Sequence, residues 1–264
     1  NGHLAKPDGE RFRIWGTNLG GPDCTPSKQR AKLVAAQLAR YGMNCVRMHY
    51  IDQPAPAGLI RADRNDTSAL DPGQMDRFDF FIAELKKRGI YVDLWLNIAR
   101  LYKPGDGVLD YEYLGSGKSL KYFDEHLRKI QWEYARQLLT HYNPYTKSEY
   151  RNEPAVLMIE LVNEDSIVES WIGNRLAGKN TRKYLTDDWV PGFWTDITAN
   201  YANTLTERYN AWLGRTLPPS QLERLRKAAG VPPTALVPRL RREEFAGAPT
   251  IRFYTEAQFY MSLE

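Results

Sequence analysis

The chain has 264 residues, 42% of them hydrophobic and 26% charged, with a formal net charge of +4. This is the make-up of an ordinary globular protein, with room for one large α/β domain or two small ones. No apolar run approaches the roughly 20 residues of a membrane helix, so no membrane partner is expected. The mild charge argues against a nucleic-acid-binding face.

Arg11–Gly16 (R-F-R-I-W-G) alternates polar and apolar residues and predicts a first strand, followed by Thr17, Asn18 and a Gly20-Gly21 turn. The opening N-G-H-L-A-K-P-D-G-E has no apolar signal core. Thr25-Pro26 has the form of a helix start, and Val34, Leu38 and Tyr41 give a helical stripe closed by Gly42. Asn44–His49 reads as the second strand, with Arg47, His49 and Tyr50 at its end. Asp71-Pro72 starts the next helix, where Met75, Phe78, Ile82 and Leu85 keep helical spacing until Gly89. Ile90–Leu96 is the third strand and ends at Asn97.

A Gly- and Tyr-rich loop leads to a long helix predicted from Tyr122 to Tyr142. The fourth strand is the nearly unbroken apolar run that opens after Pro154 and ends in Asn163-Glu164. Such a run suits a strand buried on both faces. Beyond it the pattern loosens. Residues 165–250 read as an insertion or loop region, with helices near Thr195–Leu213 and Gln221–Ala229. Within it, residues 215–242 carry seven Lys/Arg against one Asp/Glu, which suits a solvated basic segment with little part in catalysis. A last helix is predicted over Thr250–Glu264.

Strands alternating with helices imply parallel pairing and right-handed crossovers. Doubly wound sheets and (β/α)8 barrels both fit. No G-x-G-x-x-G follows any strand and no G-x-x-x-x-G-K-S/T occurs, which takes support from nucleotide binding and favours the barrel. The polar strand ends should converge on the carboxyl side of the sheet, where α/β folds bind ligands. His3, His49, His126 and His141 have no metal-ligand spacing, and no metal or cofactor is expected. Cys24 and Cys45 cannot define a disulfide framework and are taken as free.

Four of these stretches resemble motifs of clan A glycoside hydrolases, most closely the family 5-like, cellulase/mannanase-type enzymes. They are R-I-W-G-T-N-L at 13–19, G-M-N-C-V-R-M-H at 42–49, L-K-K-R-G-I-Y-V-D-L at 85–94 and E-P-A-V-L-M-I-E-L-V-N-E at 153–164. The resemblance covers about residues 10–165 and implies a TIM (β/α)8 barrel. This chain would supply its first four β/α units and a helical insertion, together one partial catalytic domain. It further implies a retaining hydrolase of β-linked glycans, with an oligo- or polysaccharide as partner, secreted or periplasmic.

Glycosidic hydrolysis needs a carboxylic acid to protonate the leaving oxygen and a second carboxylate across the bond. The resemblance makes Glu164 the acid/base and gives Asn163 the sugar hydroxyl beside the reacting carbon. It makes Arg47 the partner of the nucleophilic carboxylate. His49, Asn18 and Asn97 are candidate lining residues at the strand ends. Trp171, Trp189 and Trp194 are candidate rings for stacking on sugar, although core packing explains each equally well. The family nucleophile, a Glu at the end of the seventh strand, matches nothing here and is expected outside the sequence. A half barrel exposes strand edges, so its missing half is expected from further sequence or another chain. The alternative is a non-catalytic carbohydrate-binding or structural module. A metal-dependent barrel enzyme lacks the necessary histidine spacing.

Overall fold

The computed structural model describes residues 2–6, 8–97, 99–178 and 197–264. The chain divides into two units, one of residues 1–100 and 131–163 and one of residues 101–130 and 164–264.

The first unit is built on four parallel strands in the order β1 (Gly16–Gly20), β2 (Cys45–His49), β3 (Tyr91–Trp95) and β6 (Val156–Glu160). Helix α1 (Lys28–Arg40) joins β1 to β2, and α2 (Pro72–Lys86) joins β2 to β3. Helix α3 (Glu125–Leu139) and a small hairpin, β4 (Tyr142–Asn143) with β5 (Ser148–Glu149), precede β6. This parallel order is that of the first four β/α units of a (β/α)8 barrel, as expected from the alternation. Among the described residues, no helix is long and apolar enough to cross a membrane.

Local chemistry explains the helices. Ser27 caps α1 by accepting from the Arg30 N–H at 3.3 Å. Asp71 caps α2 by accepting from the Gln74 N–H at 2.8 Å, with Pro72 at the first position. Both helices end on a left-handed glycine, Gly42 at φ 72° and Gly89 at φ 69°. After each, an N–H returns to the last turn: Met43 to the Leu38 carbonyl and Ile90 to the Leu85 carbonyl, each at 3.1 Å. The buried sides of α1 (Ala31, Ala35, Leu38) and α2 (Phe78, Ile82, Leu85) cover Val46, Met48, Val92 and Leu94 of the sheet.

The boundaries depart from the sequence expectations in three places. β1 begins at Gly16 rather than Arg11, because the side chain of Asn44 takes the place of ladder bonds before it. Asn44 Oδ1 accepts from the Trp15 N–H at 2.8 Å, and its Nδ2 donates to the Arg13 carbonyl at 2.8 Å. Gly16 has no Cβ to spare, since one would lie 2.6 Å from the Cys45 carbonyl oxygen. Thr25 does not cap α1; its hydroxyl accepts from the Gln74 side chain at 3.1 Å. The long third helix is shorter than expected at both ends. Lys118–Tyr122 forms a 3-10 turn, and Tyr142 has entered the hairpin, whose turn is held by Asn143 Oδ1 accepting from the Tyr145 N–H at 2.9 Å. Cys24 and Cys45 are free and buried, and the Cys24 thiol donates to the Leu19 carbonyl at 3.2 Å.

The second unit is helical, with α4 (Ile167–Ile172), α5 (Ala199–Thr216), α6 (Pro219–Ala228) and α7 (Thr250–Met261) around an aromatic core. Residues 101–130 belong to it, a membership that sequence reading did not anticipate. The basic segment is also more than a solvated face. Leu225, Val237 and Leu240 are buried, and Arg239 donates to the Thr206 hydroxyl at 2.9 Å, the Tyr260 hydroxyl at 3.1 Å and the Ala202 carbonyl at 3.1 Å.

Glu256 of α7 lies beneath this segment, 1% exposed, accepting from the Leu240 N–H at 2.7 Å and the Tyr260 hydroxyl at 3.1 Å. Burial raises its pKa to about 7, against the opposing pull of the Leu240 N–H and of Arg239. A folded-state pKa above the ordinary value means that the folded form holds the proton more tightly. The stability this contributes is complete below about pH 4.5 and is lost as pH rises through about 7. Glu256→Gln is therefore expected to flatten the fall in Tm between pH 5 and pH 8. Parallel Tm–pH curves for the two proteins would contradict this.

Candidate active site

Side chains alternate across a strand, so Val46 and Met48 face the helices while Cys45, Arg47 and His49 face the other way. Neighbouring strands align on the same face. Asn18 sits in register with Arg47, Arg47 with Asp93, and Asp93 with Met158. Together with Gly16, Cys45 and other residues of β1, these side chains line a hollow of about 340 Å³.

An irregularity decides which residues of β6 reach this face. Val92 pairs with Val156, but Asp93 pairs with Met158, so the register slips by one residue. Without the slip, Trp95 would oppose Ile159 and Glu160 would turn to the helix side. With it, Trp95 opposes Glu160.

Glu160 then meets Arg47. The guanidinium forks onto the carboxylate, Nε to Oε1 at 2.7 Å and Nη2 to Oε2 at 2.6 Å. Its carbon lies 3.2 Å from the centre of the Trp95 ring. Asp93 Oδ2 lies 3.8 Å from Arg47 Nε, and its side chain is only 3% exposed. Burial, then the hydrogen bond and the charge of Glu160, push the Asp93 carboxyl up to about 7 against the pull of Arg47. One cation thus sits among two carboxyl groups and an aromatic face.

The other expected residues are placed as follows. His49 stacks on Tyr50 with ring centres 4.0 Å apart and meets the Trp95 ring edge-on at 3.8 Å. Tyr50 follows β2 in a left-handed conformation, φ 59°. Asn97 is buried just past β3, and Asn163 is half-buried at the end of the first unit. Glu164 opens the second unit, exposed, also left-handed at φ 49°. Non-glycine residues adopt this backbone at a cost, and such strain gathers at functional sites.

Trp171 is a correction. It is 2% exposed, and Phe245, Phe253 and Tyr260 surround it with ring centres 4.8, 5.2 and 5.1 Å away. Its spacing on α4 turns it into the aromatic core, so its ring offers no open face to a sugar. Trp189 and Trp194 lie outside the described residues.

Sequence reading passed over Asp93 and Glu160. The available signal was a lone acidic residue inside an otherwise apolar strand, V-D-L and I-E-L, where burial of charge needs a partner.

No protein-family model matches the chain. It is 26% identical over 166 residues to mannan endo-1,4-beta-mannosidase 2 of Arabidopsis thaliana, a match covering 55% of this chain and 38% of that protein. An endo-1,4-beta-mannanase structure from Rhizomucor miehei is similar with a TM-score of 0.49 at 16% identity, covering 75% of this chain and 65% of that one. A hyperthermostable endo-1,4-beta-D-mannanase from Thermotoga petrophila is similar with a TM-score of 0.42 at 18% identity, covering 96% of this chain and 85% of that one. The chain therefore spans well under half of the curated relative.

Proposed function

We propose that this chain is the part of a retaining β-glycan hydrolase that carries its general acid/base, Glu164. The observation that supports this most directly is the position of Asn163-Glu164. The pair follows the fourth strand of a parallel β/α sheet whose second strand places Arg47 on the open face. Glu164 would donate its proton to the departing glycosidic oxygen and later take one from water. Asn163 would hold the hydroxyl beside the reacting carbon. Arg47, kept in place by Glu160 and the Trp95 ring, would set a positive potential for the nucleophilic carboxylate, which is assigned to no residue of this chain. Asn18 would line the open face beside Arg47; His49 and Asn97, at the ends of β2 and β3, complete the set of candidate lining residues.

The proposed substrate is a β-1,4-linked mannan, since the similar proteins are named as mannanases or mannosidases. An extracellular or periplasmic location goes with a polymeric substrate. The test is hydrolysis of a β-1,4-mannooligosaccharide by the full-length protein, with the product anomer followed by NMR. Retention requires the β-anomer to appear first. Initial formation of the α-anomer would rule out retention, and binding without turnover would favour a non-catalytic module.

A further inference from the structure

Glu164 holds a left-handed backbone, φ 49°, directly before a residue whose side chain is buried and ion-paired. Asp165 has a side chain only 1% exposed and is paired with Lys121, itself 8% exposed, Nζ to Oδ2 at 3.8 Å. Lys121 belongs to the 3-10 turn Lys118–Tyr122. Two residues earlier in that turn, Ser119 is hydrogen-bonded to Ser170 of α4, hydroxyl to hydroxyl at 2.5 Å, with both side chains buried. Ser166 caps α4 by accepting from the Glu169 N–H at 3.0 Å, and the Ser170 hydroxyl donates to the Ser166 carbonyl at 3.0 Å. The few residues after Glu164 are thus tied to one turn at two points. Burying a lysine and an aspartate is costly even when they are paired, so this pair is a poor means to stability alone.

We propose that the Lys118–Tyr122 turn, acting through Lys121–Asp165 and Ser119–Ser170, is the positioning element that aims Glu164 for proton transfer. This rests on the assignment of Glu164 as acid/base. Lys121 and Asp165 are positioning residues; they act on the reaction only through the backbone that carries Glu164.

The variant that tests it is Lys121→Met/Asp165→Asn in the full-length protein, because removing both charges leaves neither buried alone. A misaimed acid costs most when the leaving group needs its proton. On a β-1,4-mannooligosaccharide, kcat should fall on the order of 10²-fold with KM nearly unchanged, as a displacement of about 1 Å can do. Glycosylation by an activated aryl β-mannoside should be nearly unaffected. Equal losses on both substrates, or none on either, in a protein of near wild-type Tm would overturn the proposal. Should circular dichroism show the double variant unfolded, Lys121→Arg, which keeps the charge but changes its reach, takes its place. It must show the same leaving-group selectivity, and equal effects on both substrates would again refute the idea. Glu164→Gln separates the two layers. Full activity in that variant removes the acid assignment itself. A dead Glu164→Gln beside an unselective Lys121→Met/Asp165→Asn removes only the positioning role.

Discussion

Glu164→Gln in the full-length protein is expected to lower hydrolysis of a β-1,4-mannan by roughly 10²–10⁴-fold, the usual worth of a positioned general acid/base. Gln has nearly the shape of Glu but no proton to give and no lone pair basic enough to take one. The glycosylation step on an activated aryl glycoside needs little acid help and should suffer far less. Its covalent intermediate should then accumulate, because the second step still wants a base. Azide attacks without such help, so added azide should restore turnover and yield a β-glycosyl azide. Undiminished activity of Glu164→Gln on mannan would remove the assignment, as would an α-glycosyl azide.

The second large effect is expected at Arg47. Replacement by Met removes the partner of Glu160 and the charge beside buried Asp93. A fully buried pair broken this way costs about 3–5 kcal/mol. Here Arg47 and Glu160 are 34% and 31% exposed, so solvent screens the pair, and about 2 kcal/mol is the expected loss. At roughly 2–4 °C per kcal/mol for a protein of this size, Tm should fall by about 4–8 °C. Lysine is not a rescue, since a point charge cannot reproduce the two-bond fork. Arg47→Met/Glu160→Met should recover most of the stability, while kcat/KM stays depressed on the order of 10²-fold through loss of the charge at the proposed nucleophile. Recovery of both stability and activity in the double variant would reduce Arg47 to a structural role.

Sequence alone determined much of this protein because the relevant signals are local. Asp71-Pro72 at one helix start, and Gly42 and Gly89 at helix ends, set backbone geometry within a few residues. The apolar runs after them found the second, third and fourth strands to within a few residues, and their alternation with helices implied the parallel order. The carboxyl ends carrying Arg47, His49, Asn97 and Asn163-Glu164 followed from those runs. β1 lies later than the alternation in R-F-R-I-W-G predicts, because G-T-N-L-G has weak strand propensity and is a strand through its pairing with β2.

Only the tertiary structure decided which side of the sheet each residue of the fourth strand faces. Five apolar residues in a row carry no alternation from which to read a face. The one-residue slip opposite Asp93 brings Glu160, rather than Ile159, beside Trp95 and onto Arg47. Nor could composition separate a stacking tryptophan from a core one. Trp171 is buried because Phe245, Phe253 and Tyr260, each more than 70 positions away in sequence, pack around it. The same holds for residues 101–130 and for the basic segment. Their place in the second unit depends on contacts such as Ser119–Ser170 and Leu240–Glu256, between residues far enough apart that no local pattern encodes them.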